Sequence, residues 1–260
     1  MSSDKQAQSP DGIARARDTV RREAFFWGDD VSDTYFAAAE AAMDEQWADL
    51  ITPVLRRHPI DYSVIMELSC GHGRNSAKLS PLAGRMILVD VNPDNIAFVR
   101  TRFDTARHRF VLNSGYDLAD IADGEATFVY SFDSMVHFDA GLVALYVPEF
   151  ARVLKPGGYG FIHHSNYSEG RALRDLPRRL KQRFYRALVL AMHGKERFPH
   201  LATASNSGFR ANPHWRAINS RENFADLCRK AGLEVVEQTV IDWGGVRDLD
   251  CLTVFRRPAA

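Results

Sequence analysis

The sequence predicts an α/β fold: a doubly wound, seven-stranded sheet with its last strand antiparallel, a helical N-terminal extension, and a helical cap inserted after strand 5. Three observations predict it. From Val64 onward, short apolar runs alternate with helical segments. The first run breaks into a glycine turn that restarts at once as a helix. The chain then closes on two apolar runs joined by a connection too short to hold a helix, which makes them an antiparallel pair.

The elements follow in order. Val64, Ile65, Met66 and Leu68 supply the first strand, and Glu67 places an acid just before the turn. Ser69 and Cys70 lead into Gly71 and Gly73, which permit tight turning and close backbone approach; helical character resumes at Asn75. Such a turn suits a small nucleoside-bearing ligand. The dinucleotide fingerprint would end in Gly or Ala, and Ser76 stands there instead. Residues 86–95 read as a second buried strand ending at Asp90, with Pro93 suited to the first turn of a helix. Asp90 lies about twenty residues past the first glycine, the distance at which a carboxylate at the next strand end can accept from ribose hydroxyls. Val91 and Asn92 share its loop, and Asn92 or Asp94 can cap the helix that follows.

A third strand at 109–112 leads into the loop NSGYDLADI. The fourth starts at Ala126 and runs into a polar loop at 131–134. Ligands of doubly wound sheets gather at the carboxyl ends of strands, so Phe132, Asp133 and His137 fall where a cofactor would meet an acceptor. A helix over roughly 141–154 is stopped by Pro156 and Gly157, and a fifth strand carries His163 and His164 at its end. A last helix near 221–231 stops at Gly232. Strands at about 233–243 and 249–256 are joined by GGVRD.

At this point the residues resemble the class I S-adenosyl-L-methionine-dependent methyltransferases. In that family an acidic residue leads into a glycine-rich loop under the methionine end of the cofactor, as Glu67 does here. Ser69 stands where the family often has another glycine. The acid at Asp90 matches the family's second motif, and R-V-L-K-P-G-G before an apolar strand is a further, more specific match. Together with the loop after the third strand, these matches cover about residues 62–166. The resemblance implies a Rossmann-like domain binding S-adenosyl-L-methionine as methyl donor through Glu67, Ser69, Cys70, Gly71, Gly73, Asn75, Asp90, Val91, Asn92, Phe132 and Asp133. It places Gly115, Tyr116 and Asp117 beside the adenine. Many members carry an acid nearer positions 113 and 114, which are Asn113 and Ser114 here.

Composition agrees with a globular enzyme: 260 residues, 45% hydrophobic and 25% charged, with 33 basic and 33 acidic residues. The balanced charge argues against a dedicated nucleic-acid or membrane-surface binder. The polar start MSSDKQAQSPDG has no signal-peptide core. Cys70, Cys228 and Cys251 lack C-x-x-C spacing, which suits reduced thiols in a cytoplasm. A homo-oligomer is left open.

The expected organisation is a tail and helical lid over 1–60, then a cofactor-binding domain over 61–260 with an acceptor cap at about 167–215. In the lid, Tyr35, Phe36, Met43, Trp47 and Leu50 offer an apolar face. In the cap, Leu176, Leu180, Phe184 and Leu188 recur every four residues; Arg171, Arg174, Arg178, Arg179, Lys181, Arg183 and Arg186 face the other way, suiting an anionic acceptor. The SNSGFRANPHW loop can close over it. The expected chemistry is in-line methyl transfer to a hydroxyl of a small or glycosylated molecule. His163, His164 and His137 are the candidate bases, and Asp133 is a base or orienter. N- or C-methylation, a non-catalytic cofactor-binding partner and an NAD-binding oxidoreductase are the competing readings. Asp133, His137 and a strand-five histidine show no clear ligand spacing, so no metal is expected.

Overall fold

The computed structural model describes residues 31–174 and 216–259, together with residues 14, 180, 184, 187, 188, 191 and 192. The described residues form a seven-stranded sheet. Its strands are β1 (Val64–Leu68), β2 (Arg85–Asp90), β3 (His108–Leu112), β4 (Ala126–Ser131), β5 (Leu154–Ser165), β6 (Glu234–Trp243) and β7 (Val246–Arg256), in the spatial order β3-β2-β1-β4-β5-β7-β6. β1 to β5 run parallel, and β7 lies antiparallel between β5 and β6. The order reverses between β1 and β4, so the loops after these strands diverge to opposite sides and leave a crevice at their carboxyl ends.

The helices among the described residues are α1 (Val31–Ala41), α2 (Met43–Gln46), a π-helical turn (Trp47–Ile51), α3 (Thr52–Leu55), α4 (Arg74–Leu79), α5 (Pro93–Arg102), α6 (Ala140–Val153), α7 (Glu169–Arg174) and α8 (Arg221–Lys230). Two apolar layers follow from the alternation of side chains along each strand. On one face Ile65, Leu88, Phe128 and Phe161 pack with Met43, Ile51, Leu55, Leu79 and Val99 from the N-terminal helices, α4 and α5. On the other, Met66, Val89, Val129 and Ile162 pack with Val143, Val147 and Phe150 of α6 and Phe224 and Leu227 of α8. β1 and β4 are buried along their whole length, which is why both read as unbroken apolar runs.

Some boundaries differ from expectation. α6 ends at Val153 and β5 begins at Leu154, so Pro156 and Gly157 lie within the strand, with Gly157 at φ +79°. The last hairpin turns on Gly244 and Gly245 alone, both at positive φ, and β7 starts at Val246 instead of after GGVRD. The expected helical tail over residues 13–30 lies outside the described residues apart from Ala14. The acceptor cap lies outside them from residue 175 to 215 apart from six positions; of these Leu180, Phe184 and Leu188 are helical and exposed. Leu176, Arg178, Arg179, Lys181, Arg183, Arg186 and the SNSGFRANPHW loop are not among the described residues. No described helix is long and apolar enough to cross a membrane.

Candidate active site

The glycine turn is built from left-handed residues. Ser69, Gly71 and Gly73 stand at φ +58°, +53° and +80°. Ser69 thus adopts the conformation that glycine takes without strain. Asp90 fixes the turn from the neighbouring strand: its carboxylate accepts from Gly71 N at 2.9 Å, Asn92 N at 2.9 Å and Asn95 Nδ2 at 3.2 Å. Burial raises the Asp90 pKa, and these donors oppose the shift. Asn92 caps α5 by accepting from Asp94 N. Val91, beside it, is half-buried.

Glu67 is buried and accepts a short hydrogen bond from Ser76 Oγ, which ties β1 to α4. Burial pushes its pKa up to about 8 despite that bond, so the carboxyl is mostly protonated at neutral pH. Cys70 is also buried, and its thiol is pushed well above its usual range for the same reason. It is a packed, unreactive thiol. Asn75 turns inward, accepting from Tyr130 Oη at 3.0 Å inside the core.

α1 covers the turn from outside. The Phe36 ring stacks on His72 at 3.6 Å, and His72 stacks on Phe98 of α5 at 4.1 Å. Met43 is buried, while Trp47 lies 6.5 Å from Tyr130 in a tilted arrangement.

After β3, Asn113 shapes its own loop: Oδ1 accepts from Gly115 N, and Nδ2 donates to Asp117 O and Tyr146 Oη. Ser114 Oγ accepts from Tyr116 N and Asp117 N. An amide here does structural work that a carboxylate, lacking donors, cannot do. Gly115 takes φ +85°, and the loop leaves Tyr116 and Asp117 half-exposed.

The β4 loop meets the glycine turn. Asp133 stands at φ +59° and accepts from Arg74 Nη2 at 2.7 Å, so a carboxylate beyond β4 meets a guanidinium from the glycine-loop helix. Arg74 also donates to Ala39 O in α1 at 3.2 Å. Phe132 is buried against His163 and Trp243, at ring separations of 4.7 and 5.9 Å. His137 is half-buried on the 3-10 turn that follows (Met135–His137).

Residues 65–158 match the family described as a methyltransferase domain. These residues carry a methyltransferase domain. Its fold is shared by a chain of the complex between the Haloferax volcanii Trm112 methyltransferase activator and a methyltransferase, with 21% identity, 91% of this chain and 98% of that one covered, and a TM-score of 0.56. A SAM-dependent methyltransferase from Methanosarcina mazei is similar at 17% identity, over 80% of this chain and 98% of that one, with a TM-score of 0.53. The cyclase SpnF shares the fold too, at 13% identity over 86% and 82% of the chains with a TM-score of 0.54. Compared by sequence with curated proteins, the chain finds no significant match. The match over 65–158 carries the domain assignment, and the structural likenesses carry the fold.

The strand-five histidines are less available than their sequence position suggests. His164 is buried and stacked on Phe224 at 4.2 Å, with Nδ1 on Ser165 O and Nε2 on Thr253 Oγ1. Burial holds its pKa down at about 4, so it is a neutral core residue. His163 is buried on the other face, bonded to Asp133 N through Nδ1 and to Asp250 through Nε2. Neither ring offers a nitrogen to an acceptor in this arrangement. Asp250, Arg216 and Trp243 were not anticipated. The available signal was Asp250 itself, a carboxylate inside the apolar run LDCLTVF that requires a buried partner. Among the described residues no group of three or more His, Cys, Asp or Glu is placed to hold a metal ion.

Proposed function

We propose that this chain transfers a methyl group from S-adenosyl-L-methionine to a hydroxyl of a small or glycosylated molecule. The observation that carries the reading is the 2.7 Å contact of Arg74 with Asp133, through which the glycine turn and the β4 loop share one wall. The residues present suit the donor: a strand-end carboxylate at Asp90 for a diol, Val91 and Tyr116 for the adenine, and the Glu67–Gly73 turn for the methionine end. The bound donor supplies an activated methyl on a sulfonium. The protein's own contribution is alignment, which can lower the barrier by about 7 to 11 kcal/mol.

His137 is the base in this proposal, because it is the one half-exposed histidine of the three candidates, and Asp133 orients the loop that carries it. The Arg-rich sequence after β5 favours an anionic or glycosylated acceptor. The proposed setting is the cytoplasm, where the free, buried Cys70, Cys228 and Cys251 stay reduced. No metal takes part in the proposal.

Titration calorimetry with S-adenosylhomocysteine and with NAD tests the reading. Binding of the first and not the second is expected; tight NAD binding without S-adenosylhomocysteine binding overturns it. A screen of sugars, phenols and amines with radiolabelled methyl donor then separates O- from N- and C-transfer.

A further inference from the structure

A continuous hydrogen-bonded chain crosses the carboxyl edge of the sheet. Arg216, where the described chain resumes, donates from Nε and Nη2 to the two oxygens of Asp250 at 2.8 and 2.7 Å. Asp250 Oδ2 accepts from His163 Nε2 at 3.1 Å, and His163 Nδ1 accepts from Asp133 N at 3.1 Å. The Asp133 carboxylate binds Arg74, and Arg74 reaches Ala39 O of α1. Arg216, Asp250 and His163 are buried, so the chain is shielded from water. The segment from Arg216 is pinned beside it, with Ala217 N on Val136 O, Ser165 Oγ on Ala217 O and a bridge between Tyr167 and Asn219.

We propose that this chain is a positioning relay that couples the segment starting at Arg216 to the cofactor turn at Arg74, with His163 as the positioning residue of the β4 loop. The proposal rests on the methyltransferase reading above.

The coupling works through hydrogen-bond valence. Asp133 N–H points at Nδ1, so the ring proton sits on Nε2 and is donated to Asp250. Nδ1 accepts only while it carries no proton. Asp250 in turn accepts from three donors, and withdrawal of Arg216 would leave a buried carboxylate facing a single imidazole. A displaced Asp250 would carry the Nε2 side of the His163 ring with it and draw Nδ1 away from Asp133 N–H. Asp133 holds a left-handed backbone that a non-glycine residue keeps only when its surroundings enforce it. Once released, its carboxylate no longer holds Arg74. The groups facing His163 are Asp250 from β7, Arg216 from the segment before α8, Asp133 and Phe132 from the β4 loop, and Trp243 from β6. His164 lies on the opposite face.

A double-mutant cycle tests the coupling. Arg74→Ala, Arg216→Ala and the double variant are titrated with S-adenosylhomocysteine, with circular dichroism confirming the fold. If Arg216→Ala is unfolded, Arg216→Lys, which keeps the charge but not the fork, takes its place. The combined loss of affinity is expected to depart from the product of the single losses by about fivefold or more. Agreement with that product within about twofold overturns the coupling. The ring nitrogens of His163, followed by 15N NMR, read the mechanism separately: Nδ1 without a proton and hydrogen-bonded by Asp133 N–H in the wild type, that bond weakened in the Arg216 variant. A wild-type ring protonated on Nδ1, or a ring unchanged by the substitution, overturns the relay. A wild-type protein that binds no S-adenosylhomocysteine overturns the cofactor reading, and the nitrogen signals then judge the relay alone.

Discussion

Gly73 lies against Phe103 so closely that a Cβ added to it would come 2.5 Å from the ring carbon Cε2. The same residue stands at φ +80° as the N-cap of α4. Two independent constraints therefore require glycine at this position, one from backbone sterics and one from packing. Gly73→Ala should cost about 2 kcal/mol or more in urea denaturation and weaken S-adenosylhomocysteine binding by about tenfold or more. A variant of wild-type stability and affinity would count against the turn as the cofactor cradle.

Ser69 shares the left-handed backbone, at φ +58°. Ser69→Gly should therefore stabilise the protein by about 1 kcal/mol in the same assay. A loss of stability would mean that the serine side chain supplies something that offsets the strain.

Glu67 and His164 give pH dependences of opposite sign. The folded protein keeps the Glu67 proton up to about pH 8, while the unfolded chain releases it near 4.5. Stability from this group is full below about 4.5 and is lost as pH rises through about 8. Glu67→Gln should remove that alkaline-side slope from chemical denaturation measured across the interval.

His164 acts in the other direction. It stays neutral when folded down to about pH 4, whereas the unfolded chain takes up a proton near 6.5. Its contribution is complete above about 6.5 and declines as pH falls toward about 4, worth about 3 kcal/mol in all. His164→Gln should flatten the acid limb and leave turnover near wild type. A large loss of turnover at unchanged stability would return His164 to the chemistry.

His137→Gln should lower turnover about a hundredfold or more, with S-adenosylhomocysteine affinity unchanged. Turnover within a few fold of wild type would remove it as the base.

Much of the frame was legible in the sequence because each signal was local. β1 matches its apolar run, β2 ends at Asp90 as expected, and Pro93 and Gly232 mark helix ends where they should. The partners of the histidines were not legible, since His163 meets Asp250 across 87 residues and His164 meets Thr253 across 89. Strand periodicity sends neighbouring rings to opposite faces, but it cannot say whether a ring nitrogen is already bonded. The inward turn of Asn75 toward Tyr130 escaped for the same reason, because the contact spans 55 residues.

β7 follows every other strand in chain order yet lies between β5 and β6. The sheet therefore cannot close in the order in which the chain is made: β5 keeps an unpaired edge until the final strand arrives. That strand also brings Asp250 and Thr253, so both buried imidazoles must wait for their partners until then. Maturation of the carboxyl edge is thus a late folding event, and a nascent chain stalled before β7 would carry the glycine turn with both strand-five histidines lacking their β7 partners.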